Sequence, residues 1–305
     1  MKEYTNTTIT AHQHSMSIAW KQFQFYQSLP IRDPLLGNDH PLYSDPNLTA
    51  ITTTTTNNNK NNSPLLIMAT SINTCLQIID LQNVSVIAKF SILDHNAGYT
   101  ISHLRVVNNK WLTVILNSTS TKPTILRFYQ LNQLLSYNNN KTLSPPPFHA
   151  EVIVSSQRDN NTPLSSFDIL HDLSIIALGY LNGDIIIIRG DLSHDKGSRQ
   201  RKIYSGTDPI LSINIVPHNN EFVLLAATLT EIITLSTRGD NRGIPNNILA
   251  QNLSLQLDGM AWDPFEFKFW VLDSTTKNLI SFKLNNQREI VSLPPFLQDQ
   301  GNISI

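Results

Sequence analysis

The sequence has few of the features that mark secreted or membrane-spanning proteins. It contains one cysteine, Cys75, so it cannot form an internal disulfide, whereas large secreted β-proteins usually carry several. Residues 1–15 are polar and lack the apolar core of a signal peptide, and we expect them to be disordered. No apolar run approaches the roughly 20 residues that a transmembrane helix needs. These absences predict a cytoplasmic protein.

Signals for metal binding, catalysis and nucleic-acid binding are also missing. The 9 histidines are scattered, with His12 and His14 as the close pair, and one cysteine cannot supply a zinc-site spacing. There is no phosphate loop, dinucleotide fingerprint or G-x-S-x-G motif. The net charge of −1 gives no overall field to attract nucleic acid. We therefore predict that the chain is not an enzyme and has no metal, cofactor or nucleic-acid partner.

What the sequence does contain is a repeated β pattern, clearest in residues 164–192. Three short apolar runs rich in β-branched residues are separated by His171-Asp172 and by Asn182-Gly183. Such runs, bounded by turn residues, indicate strands rather than a helix. Asn-Gly is typical of a two-residue hairpin turn with positive φ at both positions. Since glycine is scarce, at 11 residues, we expect asparagine to occupy many of the turns.

This meander recurs along the chain. Copies begin at Leu164, Ile210 and Leu257, which are spacings of 46 and 47 residues, with further copies at Ile101 and near Leu48. Four-stranded units of this length are the signature of propeller blades. The fourth strand of a blade is predicted in the connecting segments, such as residues 151–155 and 202–204.

We therefore predict an all-β fold, an incomplete WD40-like β-propeller over residues 16–305, with low-complexity inserts at residues 52–63 and 136–148. It has about five blades, and residues 289–296 are interpreted as the start of a sixth. An unclosed propeller exposes strand edges, so we favour a chain that is part of a longer protein over an unusually small ring.

Two regions resemble a known family. Residues 167–215 contain His171 after the first strand, then IALGYLNGDIIIIRGDLSHDKGSRQRKIYSG, and then Pro209-Ile210. Near the N-terminus stand Trp20, Phe23 and Phe25, followed by DPL at residues 33–35. Both regions resemble the N-terminal propeller of the vacuolar protein sorting-associated protein eleven family. That family continues into an α-solenoid and a zinc-binding RING domain, and neither is present in this sequence.

The resemblance implies a scaffold function. The family is a core subunit of the HOPS and CORVET complexes, which tether endosomal or vacuolar membranes before fusion and act in protein sorting to the vacuole. The implied partners are other vacuolar protein sorting subunits and, indirectly, Rab GTPases and SNAREs. The implied location is peripheral on the late endosome or vacuole, with membrane contact through partners. The alternative is a self-contained propeller enzyme, or a WD-repeat-like adaptor, that binds a ligand at the central channel.

One group of residues is a candidate binding site, a basic loop between two blades. It consists of Lys196, Arg199, Arg201 and Lys202. The loop could contact a partner subunit or an anionic headgroup, although isolated runs of charge are more often solvated surface.

Three short motifs have simpler interpretations as structure. Arg189-Gly190-Asp191 is interpreted as the exit from a blade, and Asp263-Pro264-Phe265 as a turn, because Asp-Pro is common turn chemistry. Pro145 to Pro147 is interpreted as a stiff linker inside an insert rather than a polyproline ligand.

Overall fold

In the part of the chain that the structure describes, twenty strands form five antiparallel sheets of four strands, each in chain order, which confirms the predicted all-β propeller blades. The structure is a computed structural model that describes residues 46–55, 62–70, 74–83, 85–93, 98–118, 122–137, 145–155, 162–194, 196–238, 244–255, 260–285 and 287–292. The sheets are not closed into a ring within these residues. Most strands arise from short runs rich in β-branched and aromatic residues, which fit a pleated surface.

The five sheets are numbered as blades 1 to 5. Blade 1 comprises β1 (Thr49–Thr55), β2 (Asn62–Thr70), β3 (Cys75–Asp80) and β4 (Ser85–Ser91). Blade 2 comprises β5 (Tyr99–Val107), β6 (Trp111–Ser118), β7 (Ile125–Gln130) and β8 (Ala150–Ile153). Blade 3 comprises β9 (Leu164–Ile169), β10 (Ile175–Tyr180), β11 (Asp184–Asp191) and β12 (Lys196–Ser205). Blade 4 comprises β13 (Ser212–His218), β14 (Glu221–Ala227), β15 (Ile232–Ser236) and β16 (Asn247–Ala250). Blade 5 comprises β17 (Met260–Asp263), β18 (Lys268–Asp273), β19 (Asn278–Lys283) and β20 (Arg288–Ser292).

The buried core lies between blades rather than inside them. One apolar cluster joins Ile115 and Phe128 of blade 2 to Leu178 and Ile186 of blade 3. A second joins blades 3 and 4, and a third joins blades 4 and 5. Because residues along a strand alternate between its two faces, each central strand supplies apolar side chains to both neighbouring cores. The four β-branched residues of β11 show this alternation, since Ile186 belongs to the first cluster and Ile187 to the second.

Asparagine occupies many of the left-handed turn positions among the described residues, as the scarcity of glycine predicts, although Leu173, Phe267 and Lys277 also have positive φ. Asn108 and Asn109 have φ of 54° and 52°, and Asn219 and Asn220 have φ of 48° and 62°. Two consecutive residues with positive φ form the type I′ turn that matches the twist of a hairpin. These two pairs join the first and second strands of blades 2 and 4, at the places where the sequence predicts the first turn of each repeat.

The turn at Asn182-Gly183 differs from the prediction. Gly183 has φ of 82°, but Asn182 is not among the residues with positive φ, so the expected positive φ at both positions is wrong. The loop has three residues, and the backbone N–H of Gly183 donates to Tyr180 O at 3.1 Å. The Asn182 side chain instead accepts the N–H of Asp184 at 3.1 Å, which fixes a turn that ends in one left-handed glycine.

Three segments are placed differently from the sequence prediction. Residues 52–55 and 62–63, predicted to lie in an insert, form parts of β1 and β2, because β-branched threonine suits a strand. Ser136, predicted to begin the second insert, ends a short helix, α1 (Leu131–Ser136), whose Leu131 and Leu134 are buried one turn apart. Residues 289–292, interpreted as the opening of a sixth blade, pair with β19 and complete blade 5.

The remaining parts of those predictions lie outside the described residues. These are the rest of the first insert at 56–61, most of the second insert at 138–144, and residues 293–296. The predicted disordered residues 1–15, the N-terminal aromatic residues and the DPL segment at 33–35 lie outside them as well. The fourth strands predicted at residues 151–155 and 202–204 are confirmed, the first in β8, which ends at Ile153, and the second within β12.

Candidate interaction surface

The four predicted basic residues lie on β12, the outermost strand of blade 3, and not on a loop. The sequence KGSRQRKIYS forms a strand because its side chains alternate between two faces, and Ile203 is buried in the core between blades 3 and 4. The prediction of a loop was wrong because most of the segment is polar or basic, and its one buried apolar residue, Ile203, comes near the end. A strand at the outer edge presents its side chains in fixed rows rather than in a mobile loop.

Two of the four basic residues form ion pairs, Lys202 with a buried carboxylate and Lys196 with a partly exposed one. Lys202 Nζ lies 3.2 Å from each carboxylate oxygen of Asp184, which is 3% exposed and also accepts the hydroxyl of Ser205 at 2.6 Å. Lys196 Nζ lies 3.4 Å from Asp191 at the end of β11. Lys202 therefore compensates a buried carboxylate, and its loss would leave that charge without its cation.

The other two, Arg199 and Arg201, are exposed on the face of β12 that is turned towards blade 4. Arg199 lies directly opposite Arg189 of β11, and Arg201 lies directly opposite Ile187. Ile187 belongs to the core between blades 3 and 4, which identifies the face. We call Arg189, Arg199 and Arg201 the arginine face. Among the described residues, no acidic side chain pairs with any of the three, and Arg189 donates to the backbone oxygen of Thr237 at 3.4 Å.

The opposite face of β12 is held against blade 2. Gln200 donates to Ile153 O at 2.6 Å and accepts the N–H of Ser155 at 2.9 Å. These bonds satisfy backbone groups at and beyond the end of β8, where the ladder with β7 stops at Ile153. On the side of β12 that faces blade 2, Gln200 is thus bound to β8 and to Ser155 beyond it. On the other side, Arg199 and Arg201 are exposed to solvent.

Arg189 was assigned only to a blade exit in the sequence, within Arg189-Gly190-Asp191. That placement is confirmed, since the three residues end β11. The carboxylate of Asp191 accepts hydrogen bonds from His194 and Ser193, which lower its pKa to about 2. These bonds occupy it within its own turn. The role of Arg189 in the arginine face follows from the register between β11 and β12, and residue spacing along the sequence does not reveal it.

A second polar arrangement links the innermost strands. Arg105 of β5 forms an ion pair with Asp168 of β9, and its guanidinium lies 4.6 Å from the ring centre of Phe167. The other oxygen of Asp168 accepts the backbone N–H of Ile215 in β13 at 2.7 Å. His103 contacts the same Phe167 ring edge-to-face at 5.5 Å. The charged groups here neutralise one another, so this arrangement holds blades together.

The remaining motifs are placed in turns and coil. Asp263-Pro264-Phe265 forms the predicted turn, in which Asp263 accepts the backbone N–H groups of Phe265 and Glu266 at 2.8 and 3.2 Å. Pro145 to Pro147 lie in coil before β8, with Pro146 buried. His12 and His14 lie outside the described residues.

Neither a metal site nor a membrane span is found in the part of the chain that the structure describes. No group of three or more histidine, cysteine or acidic side chains there is arranged to hold a metal ion. No helix there is long and apolar enough to cross a membrane. The single cysteine, Cys75, is free and half-buried.

Comparison with known proteins identifies the family. The model of the PEP5/VPS11 N-terminal family matches residues 20–286, which include all of blades 1 to 4 and the first three strands of blade 5. The chain belongs to this family. The resemblance that the sequence shows to the vacuolar protein sorting-associated protein eleven family is therefore confirmed.

A curated relative supports the assignment. The chain is 34% identical over 90 residues to the vacuolar protein sorting-associated protein 11 homolog of Dictyostelium discoideum. The matched segment covers 27% of this chain and 10% of that relative. The aligned part of the chain thus corresponds to about a tenth of the relative's length, while the family match extends over the blades described above.

Proposed function

We propose that this chain is the scaffold propeller of a vacuolar protein sorting subunit, in a HOPS or CORVET complex that tethers endosomal or vacuolar membranes. The observation that carries the proposal is the family match over residues 20–286, which covers nearly the whole array of blades. A propeller is well suited to this role, because its rigid blades present long outer strands and turns to partner proteins. The chain would act through binding, with no chemistry of its own.

The partners that follow are the other vacuolar protein sorting subunits of the complex, with Rab GTPases and SNAREs reached through them. Membrane contact would be peripheral, on the late endosome or vacuole, and made through those partners. The relative's name refers to vacuolar protein sorting, in agreement with such a location.

The alternative function, a ligand site at the central channel, has less support from the innermost strands. The charged side chains described there, Arg105 and Asp168, are bound to each other and to the backbone of Ile215. A catalytic or ligand site usually presents polar groups that converge on an open space and remain unpaired until the ligand arrives. Here the same groups already join three blades.

The proposal is tested by affinity purification of the endogenous protein tagged at its N-terminus, followed by mass spectrometry. We expect other vacuolar protein sorting subunits to co-purify at levels well above those in an untagged strain. A propeller of unrelated function carrying the same tag is the matched control for non-specific capture. A bait that arrives without any of these subunits would contradict the scaffold role and favour a search for a small ligand.

A further inference from the structure

The outer strand of blade 3 differs from the outer strands of the other four blades. β12 has 10 residues, whereas β4, β8, β16 and β20 have 7, 4, 4 and 5. It is paired on one side only, with β11, and no described strand lies beyond it. Half of its backbone N–H and C=O groups therefore point away from the sheet, as at any edge strand.

The charge on this strand is also unlike that of its counterparts. β12 carries four basic residues and no acidic one. On the other outer strands, the acidic residues pair with a cation of their own blade: Glu151 with Arg127 at 2.7 Å, and Glu289 with Lys268 at 3.4 Å. The excess positive charge on β12 is thus a local property of blade 3 and not a general feature of the rims.

The arginine face concentrates that excess on one side. Arg199 lies directly opposite Arg189, and like charges directly opposite each other in a sheet are destabilising. Arg201 follows two residues later on the same face, about 7 Å along the strand. No described carboxylate relieves the repulsion, although carboxylates do pair with Lys196 and Lys202 on the same strand.

Protection of the edge against aggregation explains only part of this pattern. Natural edge strands are often blunted by one or two charged residues, most often lysine. Lys196 would serve that purpose, and it does not require an arginine on the next strand inward. The cross-strand pair of Arg189 and Arg199 adds nothing to the blunting of the edge, and it sets two exposed guanidinium groups side by side without a carboxylate among the described residues, an arrangement that suits a bound acidic group.

We propose that the arginine face binds an extended acidic segment of a partner protein, which runs along β12 and places carboxylates opposite Arg199 and Arg201. An extended chain projects alternate side chains to one side at the spacing of these two arginines. Guanidinium groups bind carboxylates with paired, charge-assisted hydrogen bonds. Because Gln200 and Lys202 are engaged on the opposite face, the acidic side chains approach from the side of blade 4. The proposal rests on the proposed function, since a scaffold holds segments of its partners.

The test uses the 305-residue chain and a fluorescein-labelled peptide of ten residues that alternates glutamate with threonine. We expect fluorescence anisotropy to report saturable binding that weakens at least about tenfold between 0.05 and 0.5 M NaCl, because exposed charge pairs are screened by salt. The double variant R199E/R201E should weaken binding at least about tenfold, and a peptide with lysine in place of glutamate should then bind the variant but not the wild type.

The control variant K89E/R288E makes the same change in net charge on the outer strands of blades 1 and 5, and it should bind the acidic peptide as the wild type does. A second variant, R199Q/R201Q, removes the charge while it keeps most of the side-chain length, so it tests the proposal if charge reversal impairs folding. Melting temperatures of all variants are measured alongside.

Three results would overturn the proposal. The peptide could fail to bind, the arginine variants could bind as well as the control, or R199E/R201E could lose binding only to vesicles that contain phosphatidylserine. The last result would assign the arginines to an anionic membrane surface. The two proposals fail in different experiments. If the scaffold function is wrong, sorting subunits do not co-purify with the tagged protein, even when the peptide binds through Arg199 and Arg201.

Discussion

The carboxylate of Asp168 on the innermost strand of blade 3 binds the guanidinium of Arg105 on the innermost strand of blade 2. Its second oxygen accepts the backbone N–H of Ile215 in blade 4, at 2.7 Å. One side chain therefore connects three consecutive blades. The connection is polar, so substitutions at Asp168 test it without removing an apolar side chain from either core.

Replacement of Asp168 by alanine should destabilise the chain by about 1–3 kcal/mol, because it leaves the N–H of Ile215 and the cation of Arg105 without their acceptor. Replacement by asparagine should cost less, since the amide oxygen can still accept the N–H. Urea unfolding followed by far-ultraviolet circular dichroism measures both variants. Equal stability of D168A and the wild type would show that the link contributes nothing to blade docking.

Gly179 of β10 should not tolerate even one added methyl group. A Cβ at this position would lie 2.5 Å from Ile210 Cγ2 and 2.7 Å from Ile213 Cδ1, both in the core between blades 3 and 4. Overpacking of this kind costs about 1–3 kcal/mol. Gly197 on β12 is the matched control, because a Cβ there meets nothing within 4 Å. We expect thermal melting to show a clear loss for G179A and almost none for G197A.

Phe265 at the tip of the blade 5 turn should contribute little to folding. Its side chain is 91% exposed, whereas Phe269 on the next strand is 0% exposed and stacks on Phe282 at 5.3 Å. We expect F265A to change the free energy of unfolding by less than about 0.5 kcal/mol, and F269A to reduce it by about 3–5 kcal/mol. Denaturant titration of the two variants measures the contrast, and similar losses for both would place Phe265 in a packed environment.

The stability of the chain should depend on pH through Asp273. Burial works against ionisation of this carboxyl, but the hydroxyl of Thr276 and the backbone N–H groups of Ser254 and Thr275 outweigh it, so its pKa lies below the ordinary value. A pKa that is lower in the folded chain stabilises it above the unfolded pKa, near 4, and this contribution disappears as the pH falls through the folded pKa.

The matching experiment compares the wild type with D273N between pH 7 and pH 3. The wild type should be the more stable protein at pH 5 to 7, and the difference should shrink as the pH falls below about 4. Thermal melts at half-unit intervals of pH measure it. A difference that stays constant over the whole range would mean that the ionised carboxylate is not what Thr276 and the backbone stabilise.

The repeat pattern predicted the blades well because each strand depends on a local signal. Runs such as Ile185 to Ile188 bounded by turn residues indicate a strand without reference to the rest of the chain. The asparagine turns at Asn108-Asn109 and Asn219-Asn220 follow from the small penalty that this residue has in the left-handed region. At Asn182, by contrast, a side-chain bond to the next strand selected another turn, and sequence alone does not determine which bond forms.

The arginine face was only half predicted from the sequence. Arg199 and Arg201 stood out as a basic run, but the same run included Lys196 and Lys202, which the structure assigns to ion pairs with Asp191 and Asp184. Arg189 belongs to a different strand, and only the register of β11 against β12 places it opposite Arg199. Register depends on packing across the whole blade, so it is not readable from ten residues of sequence.

The sharing of each apolar cluster by two blades has a consequence for how such a gene can be shortened. A stop codon after Ser205 would leave the strands of blade 3 complete in hydrogen bonds, yet Ile185 and Ile187 would lose their packing partners in blade 4. Removal of blade 4 alone would likewise take packing partners from the facing sides of blades 3 and 5. The packing unit of this array is thus the pair of facing sides of two neighbouring blades, and a cut between blades exposes an apolar face.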